Sequence, residues 1–560
     1  MSARFINFVA RSLFLVAALV FAAGTGLGQS LDYAITHVTV VNPGSERPQL
    51  DRTIVVSGRT ITAVVPSKDF KPTTSLRLID AQGKFVIPGL WDMHMHFRDA
   101  GRDLKMDVAY GVLGLRDMGD VAKEVFPLRD AIAQGKQTGP KIVACGPIVD
   151  GPDSWSNPKF TVSVKSADEA RAVVQSLKEQ RADCVKVYDG LSRDSYFAII
   201  DEAKKLGVPV VGHLPSAIGV REASQAGQRS LEHGAALAGG STAEAAYIQR
   251  RLDPSAFQEA LRTKNFTLIP AKIASDETMM LDHFSQKVAD ETYSLLARNG
   301  TFITPTLVTQ RALTFPDDLI KEDDSRMRYV SSEELNWWKP ENGMLTRYRT
   351  PEYITMRKRE YDLLLTEVHR AQTMGVHLLA GTDITIPFTY PGFSLHDELA
   401  LFVKAGLSPS QALETATTNP ALLLGLSKEW GHIALGFGAN FVLLNADPLM
   451  DIANTKNIYA VVLSGEFLDR THLDTMLREA EVSRDSSKAW SASGQGYFIG
   501  KLWGEDLATF PRSPIQHDLT EMAKIFSSGE HSQVRSGVSS ITSLRDGPFE
   551  GCTSWESGPL

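Results

Sequence analysis

Between residues 85 and 425, short apolar runs alternate eight times with stretches of helical periodicity, and this pattern constrains the 560-residue chain more than any other feature. The strand candidates are Phe85–Ile87, Val112–Arg116, Ile142–Cys145, Cys184–Tyr188, Val208–Gly212, Ser230–Glu232, Phe302–Thr306 and Leu378–Ala380. Helical stretches such as Ala167–Arg181 and Ser195–Leu206 lie between them, with glycines at helix ends such as Gly207, Gly375 and Gly406. Strand–helix alternation predicts parallel strands, because a parallel pair needs a crossover connection. Eight units is the count that closes into a ring, so the expected class is α/β with a (β/α)8 TIM-type barrel.

The flanks read differently. Tyr33–Val41 is β-branched and alternating, a turn follows at Asn42-Pro43-Gly44, and Thr53–Val56 and Ile61–Val65 surround a Ser57-Gly58 turn. Strand patterns return at Phe441–Leu444 and Ala460–Leu463. Both chain ends are therefore expected to form a small composite β-sandwich domain. The boundaries are 29–84 and 426–484 for its two parts and 85–425 for the barrel. An insertion at 309–360, charged and carrying Trp337, Trp338, Tyr348 and Tyr353, falls after the seventh strand. It reads as a lid or substrate wall, or as a solvated helical insertion. Residues 485–560, rich in Ser and Gly, are expected to be a poorly ordered extension.

At the N-terminus, Arg4 and Arg11 precede the apolar run Ser12–Ala23, and Gly24, Gly26 and Gly28 follow. That is the layout of a secretory signal peptide over residues 1–28, which predicts an exported, periplasmic or secreted protein starting near Gln29. The run is short for a spanning helix, and no stable membrane insertion is expected after cleavage; an uncleaved anchor is the alternative. Hydrophobic residues at 43% and charged residues at 22% are ordinary for a soluble globular protein. A net charge of -8 argues against a nucleic-acid or anionic-membrane partner; the oligomeric state is not legible. Three cysteines, Cys145, Cys184 and Cys552, exclude a full disulfide framework, and Cys145 and Cys184 are expected as small buried hydrophobes.

The chemistry-bearing residues cluster at strand ends. In His94-Met95-His96 the imidazoles at i and i+2 share a face and converge at the mouth of the first strand. His213 and His233 end the fifth and sixth strands. Each alone fits a structural histidine, but four at the same ends of three strands suit a zinc-type ion. Asp383 follows Leu378–Thr382 and either caps a turn or ligates the ion and carries a proton. Val185 and Val187 suit the helix layer, so Cys184, Lys186 and Tyr188 should face the interior. A buried ammonium is costly. Lys186 either pairs with a carboxylate or reacts with carbon dioxide to give a carbamate able to bridge two ions. His396 is a weaker candidate for a substrate contact, and His369 and His377 receive no role.

The stretches VIPGLWDMHMH (86–96), VKVYDG (185–190), VVGHLP (210–215), SLEHG (230–234), LAGTD (379–383) and GHIALGFGANFVLLNADPL (431–449) occur in this order. Over about residues 32–470 the chain thereby resembles the amidohydrolase superfamily, and within it the imidazolonepropionase-like and Xaa-Pro dipeptidase-like branch. The resemblance implies that His94, His96, Lys186, His213, His233 and Asp383 hold one or two Zn2+ ions, two being favoured. It also implies that Lys186 is carboxylated and that Tyr188 lies near the substrate carbonyl. The implied activity is hydrolysis of an amide bond in a dipeptide or N-acyl amino acid, with Asp383 as catalytic residue. A mononuclear cyclic-amide hydrolase or deaminase, and a secreted binding protein on an inactive barrel, are the alternatives. Gly438–Phe441 departs from the family pattern, where an aspartate is usual, and 309–360 and 485–560 are unmatched.

Overall fold

The computed structural model describes residues 32–484, except 46, 75, 153, 155, 157, 323 and 340–347. The expected signal peptide (1–28), the expected extension (485–560) and Cys552 therefore lie outside the described residues. The chain opens with β1 (Tyr33–Val40), β2 (Gln49–Ser57), β3 (Thr60–Pro66), β4 (Arg77–Asp80) and β5 (Phe85–Pro88). Gly58, at φ +56°, closes the β2–β3 hairpin in a conformation that costs glycine little.

The barrel strands follow: β6 (Leu90–Met95), β7 (Val112–Asp117), β8 (Lys141–Ala144), β9 (Ile148–Asp150), β10 (Thr161–Ser163), β11 (Val185–Val187), β12 (Val210–Gly212), β13 (Ser230–Glu232) and β14 (Phe302–Thr304). β6, β7 and β8 pair in parallel, as do β9, β11, β12, β13 and β14; β10 pairs with β9 on its other side. The Asp183 amide donates to Ala144 O at 2.9 Å, joining the two sheets. Leu378–Asp383 closes the ring: the Leu379 amide donates to Ile303 O at 2.8 Å, and the Met93 amide to Ala380 O at 2.8 Å. β8 with its continuation β9 counts as one unit, which gives the eight-membered barrel. Phe85–Ile87 is not its first strand. β5 pairs with the flanking sheet, and the chain crosses at Gly89 into β6, the true first strand. One unbroken apolar run serves both layers, so the sequence shows no seam.

The C-terminal strands β15 (Phe441–Leu444), β16 (Ile458–Leu463) and β17 (Glu466–Asp469) join β1–β5 in one eight-stranded sheet, ordered β17-β16-β15-β5-β1-β2-β3 with β4 beside β1. The sheet curls back on itself: the Ile61 amide donates to Phe437 O and the Ala439 amide to Arg59 O. Its own core includes Ile35, Val38, Ile54, Val86, Phe441 and Val462. The last described helix, Arg470–Ser483, leaves this unit and packs on the first barrel helix, Ala100–Ala109, with Lys105 paired to Glu479 at 2.9 Å.

The described residues of the 309–360 segment pack back onto the barrel rather than standing out in solvent. Trp338, only 4% exposed, packs on Phe388 and Tyr390 beyond the eighth segment. Glu334 of helix Ser332–Trp338 pairs with Arg98 at 3.5 Å and Arg102 at 3.3 Å, just past the first barrel strand. A second insertion escaped the sequence reading. After β13 come helices Glu244–Arg251, Ser255–Thr263 and Leu268–Asp282, before the helix Gln286–Asn299 that leads to β14. Its helical periodicity is indistinguishable from that of a barrel helix. Cys145 and Cys184 are also not free buried hydrophobes: they form a disulfide, with Cα atoms 4.5 Å apart. Barrel curvature brings the end of β8 beside the start of β11 across 39 residues, a proximity no linear pattern displays.

Candidate metal centre

The side chains that could bind an ion stand where β6, β11, β12, β13 and the eighth segment end. His94 and His96 share a face of β6 through the two-residue strand period. His233 directly follows Glu232, and alternation would send consecutive residues to opposite faces. A left-handed backbone at His233, φ 61°, breaks that alternation, as does φ 52° at Asp383. Non-glycine residues in this region are strained by about 1–3 kcal/mol each, a cost concentrated at functional sites. Asp92 helps hold the second of these turns: its carboxylate accepts from Thr382 Oγ1 at 2.5 Å and from the Thr382 amide at 3.0 Å.

Asp383 Oδ1 lies 3.6 Å from Nε2 of both His94 and His96, and its Oδ2 lies 3.9 Å from His233 Nδ1. His233 Nε2 and His213 Nε2 are 3.0 Å apart. His94, His233 and Asp383 each offer a ligand atom within 4.8 Å of the others. Each of these four histidines has its Nδ1 tied elsewhere: His94 to Glu232 at 2.8 Å, His96 to Gly119 O at 2.9 Å, His213 to Asp189 at 3.2 Å, and His233 to Thr306 Oγ1 at 2.8 Å. Such anchoring fixes ring orientation and leaves Nε2 for a ligand.

Lys186 is fully buried, and its Nζ has no hydrogen-bond partner; His94 Nε2 is likewise buried without one. No ion pair to Lys186 occurs among the described residues. Nζ sits 5.8 Å from the Tyr188 ring, which stacks on His213 at 4.1 Å. Burial dominates the electrostatics. It pulls the Lys186 amine down to about 8 and His96 down to about 4, and it lowers His94, His213 and His233. Burial also pushes the Asp383 carboxyl up to about 6, against the pull of Lys186. Neutral imidazoles, a carboxylate and unpartnered buried nitrogens fit a divalent cation of the zinc type.

The six residues expected from the sequence thus meet at one mouth, together with Tyr188. His396 lies elsewhere, bonded to Thr455 Oγ1 and Tyr110 O, so it makes no substrate contact there. His377 stacks on Phe302. Sequence reasoning missed Glu232, Asp189 and Thr306 as partners of the histidines. Glu232 and Asp189 were visible only as neighbours of ligand candidates, and Thr306 carried no signal.

Residues 85–468 match the family model of the Amidohydrolase family. A protein from Bifidobacterium longum assigned as a prolidase is 25% identical, with TM-score 0.59, covering 80% of this chain and 98% of its own. Bottromycin amidohydrolase is 22% identical, with TM-score 0.65, over 82% of this chain and 91% of its own, a likeness of fold. A dihydroorotase from Geotalea daltonii is 28% identical over 180 residues, 31% of this chain. The match spans 40% of that relative's length.

Proposed function

Because the chain belongs to the amidohydrolase family, we propose that it is a metal-dependent hydrolase of C–N bonds, acting on a small substrate such as a dipeptide or an N-acyl amino acid. The observation that carries this reading is the set of four histidines whose Nδ1 atoms are all anchored while Asp383 stands among them. His94, His96, His213, His233 and Asp383 would hold Zn2+, and Lys186, as a carbamate, would hold a second ion. A divalent ion there supplies Lewis acidity, lowering the pKa of water and polarising a carbonyl. Asp383 takes the proton of the attacking water and returns it to the leaving nitrogen. The ammonium of Lys186 would first release one proton to give the free amine, which forms an N–C bond to carbon dioxide and releases a second proton to solvent, so that a buried cation becomes an anion. Tyr188 flanks the substrate carbonyl. Arg251, 3.9 Å from Asp189, puts a guanidinium near the mouth, which suits a substrate bearing a carboxylate.

The prolidase-like neighbour supports the dipeptide class. The Cys145–Cys184 disulfide supports export, since such bonds persist in oxidising compartments. No helix among the described residues is long and apolar enough to cross a membrane. The test is a panel of dipeptides, N-acyl amino acids, lactams and lactones offered to Zn2+-loaded protein. Hydrolysis of the open-chain amides is expected. Turnover of lactams alone would transfer the reading to a cyclic-amide hydrolase, and turnover of none to a binding protein.

A further inference from the structure

Beneath the histidines, the barrel interior holds a buried ion pair that the proposed chemistry does not use. Arg116 on β7 and Glu232 on β13 are each 1% exposed and meet at 3.0 Å. The arginine is engaged on every side: Nε donates to Met93 O at 2.5 Å, Nη1 to Ser230 Oγ at 2.9 Å, and Nη2 to both Glu232 oxygens and to Thr304 Oγ1 at 3.2 Å. Glu232 Oε1 also accepts from Ser230 Oγ at 2.5 Å, and Oε2 lies 2.8 Å from His94 Nδ1. A carboxylate bonded to a guanidinium only accepts hydrogen bonds, so the proton between it and His94 belongs to Nδ1. That leaves His94 Nε2 with its lone pair, facing Asp383 at 3.6 Å.

We propose that Arg116 and Glu232 are positioning residues of the metal centre: the pair fixes His94 in the Nδ1–H form and keeps Glu232 from pairing with Lys186. The second half follows from occupancy. Both Glu232 oxygens are taken by Arg116, Ser230 and His94, and Lys186 Nζ has no hydrogen-bond partner. One ion pair in the barrel thus serves two ligands, a histidine that must donate electrons and a lysine that must stay free to be modified. The inference rests on the reading that His94 binds a metal.

The probe is Zn2+ alone, with its dissociation constant read by competition against a chromophoric chelator on the full chain. Glu232→Gln is expected to weaken Zn2+ binding about 10- to 100-fold, the usual effect of losing a partner of a metal-bound histidine. The double variant Arg116→Met with Glu232→Gln, which removes both charges of the pair together, should show the same loss. Glu367→Gln, at a buried carboxylate bonded to Tyr293 and Gln286, should leave the constant unchanged, separating this role from a general loss of packing. If both Glu232 variants bind Zn2+ within about twofold of the parent while His94→Ala does not bind, the inference is wrong and the metal reading stands. If the parent binds no Zn2+, both fall. Should the variants fail to fold, a neutron diffraction map of the unaltered protein decides, with a proton expected on His94 Nδ1 and a bare Nδ1 overturning the inference.

Discussion

Asp383 carries the heaviest single demand in this account, since it must accept a proton in a buried site and give it up again. Its Oδ1 stands 3.6 Å from Nε2 of both His94 and His96, at the place where an attacking water would be bound, so it can take that water's proton and hand it on. Asp383→Asn keeps the shape and removes the acceptor; kcat should fall by about 10²–10⁴-fold with the melting temperature held. A near-normal rate would assign the proton transfer to another group. At the opposite extreme is His396, a histidine with a purely structural environment. Burial holds it down to about 4, while the unfolded chain protonates near 6.5. The unfolded state therefore binds more protons between those values, and acidification from about pH 6.5 to about pH 4 removes stability. The contribution is about 3 kcal/mol by linkage. Denaturation followed across this window should show a flatter pH dependence in His396→Gln than in the parent.

Individual elements are held together by close approaches and one covalent staple. A Cβ at Gly381 would lie 2.6 Å from Thr304 Cγ2 and 2.9 Å from the His94 amide nitrogen. The eighth segment can meet β6 and β14 there only with no side chain between them. Gly381→Ala should cost about 1–3 kcal/mol, the range for forcing extra volume into a packed core, read as a lower urea midpoint. A midpoint equal to the parent's would show that the closing segment has slack. The Cys145–Cys184 bond ties β8 to β11 two residues before Lys186. Reduction with a dithiol should cost about 2–4 kcal/mol in the same measurement. An unchanged midpoint would mean that the ladder alone holds this part of the wall.

At the scale of the whole molecule, the barrel and its mouth were legible because periodicity and strand-end position are written locally. His94 and His96 announce themselves by spacing, and His213, His233 and Asp383 by ending apolar runs. What stayed hidden depends on distant parts of the chain meeting. The seam at Gly89 lies inside one apolar run that feeds two layers. The disulfide joins positions that only closure makes adjacent, and the Arg116–Glu232 pair crosses 116 residues through the barrel interior. The helices after β13 share the periodicity of barrel helices, so nothing marked them as an addition. Of these hidden features the Arg116–Glu232 pair touches the site directly, through His94, whereas the legible residues would touch the ion or the substrate.

The central claim is that hydrolysis depends on a divalent metal held by His94, His96, Lys186, His213, His233 and Asp383. The most direct measurement compares amide hydrolysis by protein stripped with a strong chelator, verified metal-free by elemental analysis, with the same protein after Zn2+ is returned. The account predicts loss of turnover on stripping and recovery on reloading, with up to two ions bound per chain. Full activity in the verified metal-free protein would contradict it.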